Sequence, residues 1–127
     1  MEQNFLIDTN VIIEFSAGNF SGPAFKTLSV IIDNGPIISI INKIKVLGFT
    51  DVSPEIEEFI NIAEVIKLDD SIAEMTIALR KKYRIKLPDA IIAATAIYSD
   101  ATLITCNEKD FKSVHGLKIM NPKKLPS

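Results

Sequence analysis

Short apolar runs alternate with helical segments along the whole chain, and this alternation constrains the fold more than any other feature. Phe5-Leu6-Ile7-Asp8, Pro36 to Ile40, Val65 to Leu68, Thr102 to Thr105 and Leu117 to Met120 read as strands. Between them lie helix signals. Thr9-Asn10 starts a helix running to about Phe15. Pro23 opens a second, which stops at Gly35. Ile41, Ile44 and Leu47 share helical spacing up to Gly48. Ser53-Pro54-Glu55 starts a helix predicted to reach Glu64, and Asp69-Asp70-Ser71 caps another with Ile72, Met75, Ile77 and Leu79 on its stripe. Pro88-Asp89 opens an almost wholly apolar helix, whose alanines suit close packing at the centre of the molecule. Asn107 to about Val114 is read as a short helix. Parallel strands need crossovers, and these helices supply them. The expectation is therefore an α/β fold, with a five-stranded parallel sheet and helices on both faces. Ligands in such sheets sit beyond the carboxyl ends of the strands.

At 127 residues the chain fits one domain over 1–127, long enough to bury a core unaided. The single cysteine cannot form an internal disulfide, which points to a reducing, cytoplasmic setting. The start MEQNFLID carries an acid and no long apolar run, unlike a signal peptide. The longest apolar stretch, Ala90 to Tyr98, is too short to span a bilayer. Lys plus Arg number 14 and Asp plus Glu 16, a formal net charge of -2. That argues against attachment to nucleic acid by bulk positive charge, while leaving room for a local basic patch.

Asp8, Asp89, Asn107 and Asp110 fall just past apolar strands or at helix starts, where a parallel sheet brings residues to one edge. Convergent carboxylates repel, and a divalent cation relieves them; an oxygen-rich set suits Mg²⁺ or Mn²⁺. Such a cation activates water for displacement at phosphorus. Each residue also has a plain structural role to offer. Asp8 or Thr9 can cap the first helix, and Asp89 complements a helix dipole. Asn107 with Asp110 resembles a capping pair. Only their conjunction argues for chemistry. His115 beside Gly116 reads as a surface turn residue, and Cys106 as a packed thiol. Arg80, Lys81, Lys82, Arg84 and Lys86 form a basic run before Asp89, either a solvated helix end or a guide for a phosphate backbone.

Four blocks, FLIDTNVII (5–13), ISIINKIKVLGF (38–49), KLPDAIIAATAI (86–97) and LITCNEKDF (103–111), together resemble the PIN domain family, specifically the small VapC-type toxins. The resemblance implies a Mg²⁺- or Mn²⁺-dependent ribonuclease acting on RNA. It also implies an antitoxin protein partner and a homodimer or dimer of dimers. Asp8 matches the family's first acid and Asp89 its third. Asn107 stands where a fourth acid or an Asn occurs, with Asp110 in the same motif. The second acid, a Glu three residues after a Thr or Ser-like position, falls in Asn42-Lys43-Ile44-Lys45-Val46 and is replaced by Lys45. At about 4 Å two unit charges interact by roughly 4 kcal/mol at an effective dielectric near 20, so the exchange bears heavily on a cation site. The ammonium is expected either to take the metal's place against Asp8 or Asp89, or to snorkel outward over a weakened site. The reading is a metal-dependent endoribonuclease by lineage, impaired by Lys45. The alternative is a non-catalytic module that binds an antitoxin or RNA. A phosphorelay receiver domain would need paired acids after the first strand, and Asp8 stands alone.

Overall fold

The computed structural model describes residues 4–125. Met1 to Gln3, part of the start read above as leaderless, lie outside the described residues, as do Pro126 and Ser127. The elements run β1 (Asn4–Ile7), α1 (Thr9–Ser16), α2 (Gly22–Asp33), β2 (Ile37–Ser39), α3 (Ile40–Leu47), α4 (Pro54–Ile62), β3 (Glu64–Ile66), α5 (Asp70–Lys82), α6 (Leu87–Tyr98), β4 (Ala101–Ile104) and β5 (Ile119–Met120). The sheet is five-stranded in the order β3-β2-β1-β4-β5, and every pairing is parallel.

Alternation along the strands divides the core. Leu6, Ile37 and Leu103 point to one face, which α5 and α6 cover with Ile72, Leu79, Ala90, Ile92, Ala93 and Ala96. Their neighbours Ile7, Ile38 and Ile104 point to the other, where Val11, Ile12, Leu28, Phe59 and Ile60 of α1, α2 and α4 pack. Helices thus cover both faces. Alanines at 90, 93, 94 and 96 let α6 approach closely, and seven of its residues are buried.

Several boundaries differ from the sequence reading. β2 stops at Ser39, because that side chain accepts the Ile41 N–H at 3.1 Å and starts α3. β3 begins at Glu64, so α4 ends two residues earlier than its apolar spacing suggests, and β5 shrinks to Ile119–Met120. The helix expected from Asn107 to Val114 is only a 3₁₀ turn, Glu108–Asp110. Phe111 and Val114 are buried there, but two apolar residues among polar ones do not sustain the costly nucleus of an α-helix. A second 3₁₀ turn, Pro122–Lys124, was not anticipated.

Candidate functional site

The chain lays β1, β2 and β3 outward in one direction and then β4 and β5 in the other. The reversal falls between β1 and β4, the place where an open parallel sheet leaves a crevice at its carboxyl edge. Asp8 follows β1 there. Its N–H continues the ladder to Ile104 O at 2.9 Å, while its side chain leaves the strand and caps α1 by accepting Thr9 N–H at 2.8 Å. The capping role and the place at the crevice therefore belong to the same carboxylate. Asp8 is 6% exposed, and burial at that level demands hydrogen-bond partners. Thr105, just past β4, donates its hydroxyl to Asp8 Oδ2 at 2.8 Å and accepts Asn107 N–H at 3.0 Å. Asn42, on α3, reaches Asp8 Oδ1 at 3.4 Å and Thr9 Oγ1 at 3.0 Å.

Asn107 and Asp110 lie on the far lip, where the Asn107 amide donates to the Asp110 carboxylate. Asp89 enters from the first turn of α6, next to Pro88, which suits the start of a helix. Burial pushes the Asp89 carboxyl above its ordinary range; Lys45 pulls it down, and Asp110 and Asp8 push it up again. Charges from α3, the β4 loop and the β1 loop thus all act on Asp89.

Lys45 was expected to touch Asp8 or Asp89. It does not: its side chain is exposed, and among the described residues it forms no ion pair within 4.0 Å. Its position still faces the cleft, since it lies one turn beyond Asn42 on α3 and its charge is the first to act on Asp89 after burial. An exposed ammonium on a four-carbon stem keeps its hydration and acts at longer range, which is the outward arrangement weighed above. The direct partner of Asp8 on α3 is instead Asn42. Spacing along the chain gave no sign of that role beyond the Ser39-Ile40-Ile41-Asn42 capping pattern.

The carboxylates of Asp8, Asp89 and Asp110 and the amide of Asn107 are hard oxygen donors, the type that suits Mg²⁺ or Mn²⁺. Their arrangement does not fit such an ion. Among the described residues no three His, Cys, Asp or Glu side chains gather closely enough to hold one, and position 45 presents an ammonium.

The remaining candidates fall into structural roles. Cys106 packs beside the second core cluster, with its thiol donating to Glu14 at 3.9 Å, and burial raises its pKa. His115 is exposed, and its backbone N–H donates to the Tyr83 hydroxyl at 3.0 Å. Arg80, Lys81 and Lys82 occupy the last turn of α5; Lys86 precedes α6, and its charge lowers the Asp89 pKa. The turn Pro122–Lys124 braces the far lip. Lys123 pairs with Glu14 at 3.3 Å and Lys124 with Glu108 at 2.8 Å; its hydrogen bond holds the Glu108 carboxyl below its usual range. A surface hollow of about 560 Å³ opens at the opposite, amino edge of the sheet, beside Asn4, Asn34, Pro36 and Glu64. Volume alone therefore does not mark the cleft; topology and converging charge do.

The sequence model of the PIN domain matches residues 5–117. The chain belongs to the PIN domain family. Among solved structures, this PIN domain is similar to a chain in the DNA-bound VapBC complex from Salmonella typhimurium, at 21% identity and a TM-score of 0.80, covering 95% of this chain and 99% of that one. It is similar to a chain of VapBC2 from Rickettsia felis, bound to a promoter DNA fragment, at 22% identity and 0.78, covering 94% and 98%. A toxin–antitoxin complex from Klebsiella pneumoniae contains a chain 30% identical, with a TM-score of 0.72 and coverage of 96% and 100%. Among curated protein sequences none matches. The fold that this chain shares with them is that of the PIN domain family. Divalent-metal nuclease chemistry is a general property of that family. Among the described residues no helix is long and apolar enough to cross a membrane.

Proposed function

We propose that this PIN domain is a VapC-like toxin of endoribonuclease lineage, with its hydrolysis of RNA phosphodiesters impaired by Lys45. What supports the reading is that Asp8, Asp110 and Lys45 all act electrostatically on the Asp89 carboxyl, with Thr105 bonded to Asp8 and Asn107 to Asp110. In the family a divalent cation supplies the activation of water. On this reading Lys45 removes one ligand oxygen and adds a positive charge that reaches Asp89 from the exposed side of the cleft. Asp8 remains held by Thr9, Thr105 and Asn42, so the scaffold for an acidic cleft survives the substitution. The exposed run Arg80, Lys81, Lys82, Arg84 and Lys86 leads toward Asp89 and supports a path for an RNA backbone. The toxin–antitoxin complexes among the structural relatives support an antitoxin protein as partner, and the single cysteine suits a reducing, cytoplasmic setting.

The test is RNA cleavage with Mn²⁺ by the native chain and by Lys45→Glu. The reversal exchanges a repulsive charge for an attractive one; discounting the roughly 4 kcal/mol of a close pair for exposure leaves an expected gain of about 10- to 100-fold in rate and in Mn²⁺ affinity. A native chain that cuts as fast as Lys45→Glu would overturn the impairment. A folded Lys45→Glu protein that neither binds Mn²⁺ nor cuts would favour the second reading, a non-catalytic module binding an antitoxin or RNA. That reading draws support from the absence, among the described residues, of a three-acid group at ligand spacing.

A further inference from the structure

Asn42 has no exposed surface, and the two ends of its carboxamide do separate work. Oδ1 accepts Ser39 N–H at 2.9 Å and closes the capping box that begins α3. Nδ2 donates across to the start of α1, at 3.0 Å to Thr9 Oγ1 and 3.4 Å to Asp8 Oδ1. One side chain thus bolts the helix carrying position 45 to the loop carrying Asp8. A carboxylate offers about four acceptor sites, and donors from Thr9, Asn42 and Thr105 engage three of those on Asp8. The group cannot turn, and one site on Oδ2 is left for whatever enters the cleft.

We infer that Asn42 is a positioning residue of this cleft: its amide nitrogen fixes the Asp8 carboxylate and sets position 45 opposite it. The inference rests on the nuclease reading of the same cleft. The helix cap sits on Oδ1, whereas the bonds across to Thr9 and Asp8 both sit on Nδ2, so loss of the donor is read on kcat beside melting, and a purely structural Asn42 would change melting alone.

The experiment uses the full chain with Lys45→Glu as parent. Asn42→Asp keeps the capping oxygen and removes the donor. It also sets a second buried carboxylate against Asp8, so it is expected to lower the melting point, and to lower kcat for Mn²⁺-dependent RNA cleavage at least 10-fold at temperatures where it stays folded, with KM for RNA within about twofold. Asn42→Thr, which offers a hydroxyl donor in place of the amide and puts no charge beside Asp8, is expected to retain kcat within about threefold. Parental kcat in Asn42→Asp, or an equal loss of kcat in Asn42→Thr, overturns the inference. If the parent cuts no RNA, the nuclease reading fails, and Asn42 is judged in the native chain by NMR. Asp8→Asn should then shift the Asn42 side-chain NH₂ resonances and speed their exchange with solvent. Unmoved resonances would overturn the inference on their own.

Discussion

Two helices bring charged residues to bear on the cleft, and those residues stand at opposite helix ends. On α6 it is Asp89, in the first turn. On α3 the first turn supplies Asn42 to Asp8, and the charge, Lys45, stands in the last turn. The partial positive charge at a helix start favours a carboxylate, and the partial negative charge at a helix end favours an ammonium, each by about 0.3–1 kcal/mol. The surroundings differ as much. Seven residues of α6 are buried, whereas α3 buries only Asn42 and Val46 and leaves Ile44 60% exposed. An acid on α6 therefore sits on a rigid element whose dipole supports it. An acid at position 45 would sit on a short, half-wrapped helix whose dipole opposes it, and would need a cation across the cleft to be comfortable.

The contrast breaks most visibly in the core. Ile92→Ala on α6, at a site with no exposure, should lower unfolding free energy by about 2–5 kcal/mol in urea titrations. Ile44→Ala on α3 should stay within about 0.5 kcal/mol. A comparable cost at both would mean that the α3 surface is covered in solution. The second effect concerns charge. In EDTA, Lys45→Glu should melt below the native chain, by the ~0.3–1 kcal/mol of a carboxylate placed at the wrong helix end, and Mn²⁺ should raise its melting point more than that of the native chain. Equal or higher stability of Lys45→Glu in EDTA would erase the distinction between the two helix ends. The smallest effect is a pH dependence at Asp89. Its folded pKa is raised, chiefly by burial, so the folded state holds that proton more firmly than the unfolded chain does. The contribution is favourable below the unfolded value and is lost as pH rises through the folded one. Asp89→Asn removes this titration, so its melting point relative to the native chain should climb as pH rises through the acid range. A pH-independent difference would count against the raised pKa.

The fold was largely legible because its signals are local. β1 and β4 carry short apolar runs, α6 is apolar all round, and Pro54 and Pro88 mark helix starts. Boundaries moved where a polar side chain decided them, as Ser39 does by capping α3. The acids of the cleft could be named from sequence because each follows a strand or opens a helix. Their partners could not. The Asn42–Asp8 contact spans 34 positions and the Thr105–Asp8 contact 97, and nothing in local spacing reports a hydrogen bond formed only when β1, β2 and β4 lie side by side. Lys45 was placed by resemblance, but its exposure depended on how far α3 stands off the cleft. The brace by Lys123 and Lys124 was hidden for the same reason, since two lysines near a chain end look like any solvated pair until Glu14 and Glu108 lie beside them.

Gly48 constrains the turn that carries position 45. A side chain there would press its Cβ to 2.8 Å from the Ile44 carbonyl oxygen, so glycine suits the cap of α3. Residue 45 is held in the final turn, where lysine is the locally favoured choice and glutamate the disfavoured one. The two codons differ by a single base. Selection for cleavage can hold glutamate against that gradient, whereas selection for folding alone runs toward lysine and resists return. On the proposed nuclease reading, helix electrostatics and catalysis pull residue 45 in opposite directions.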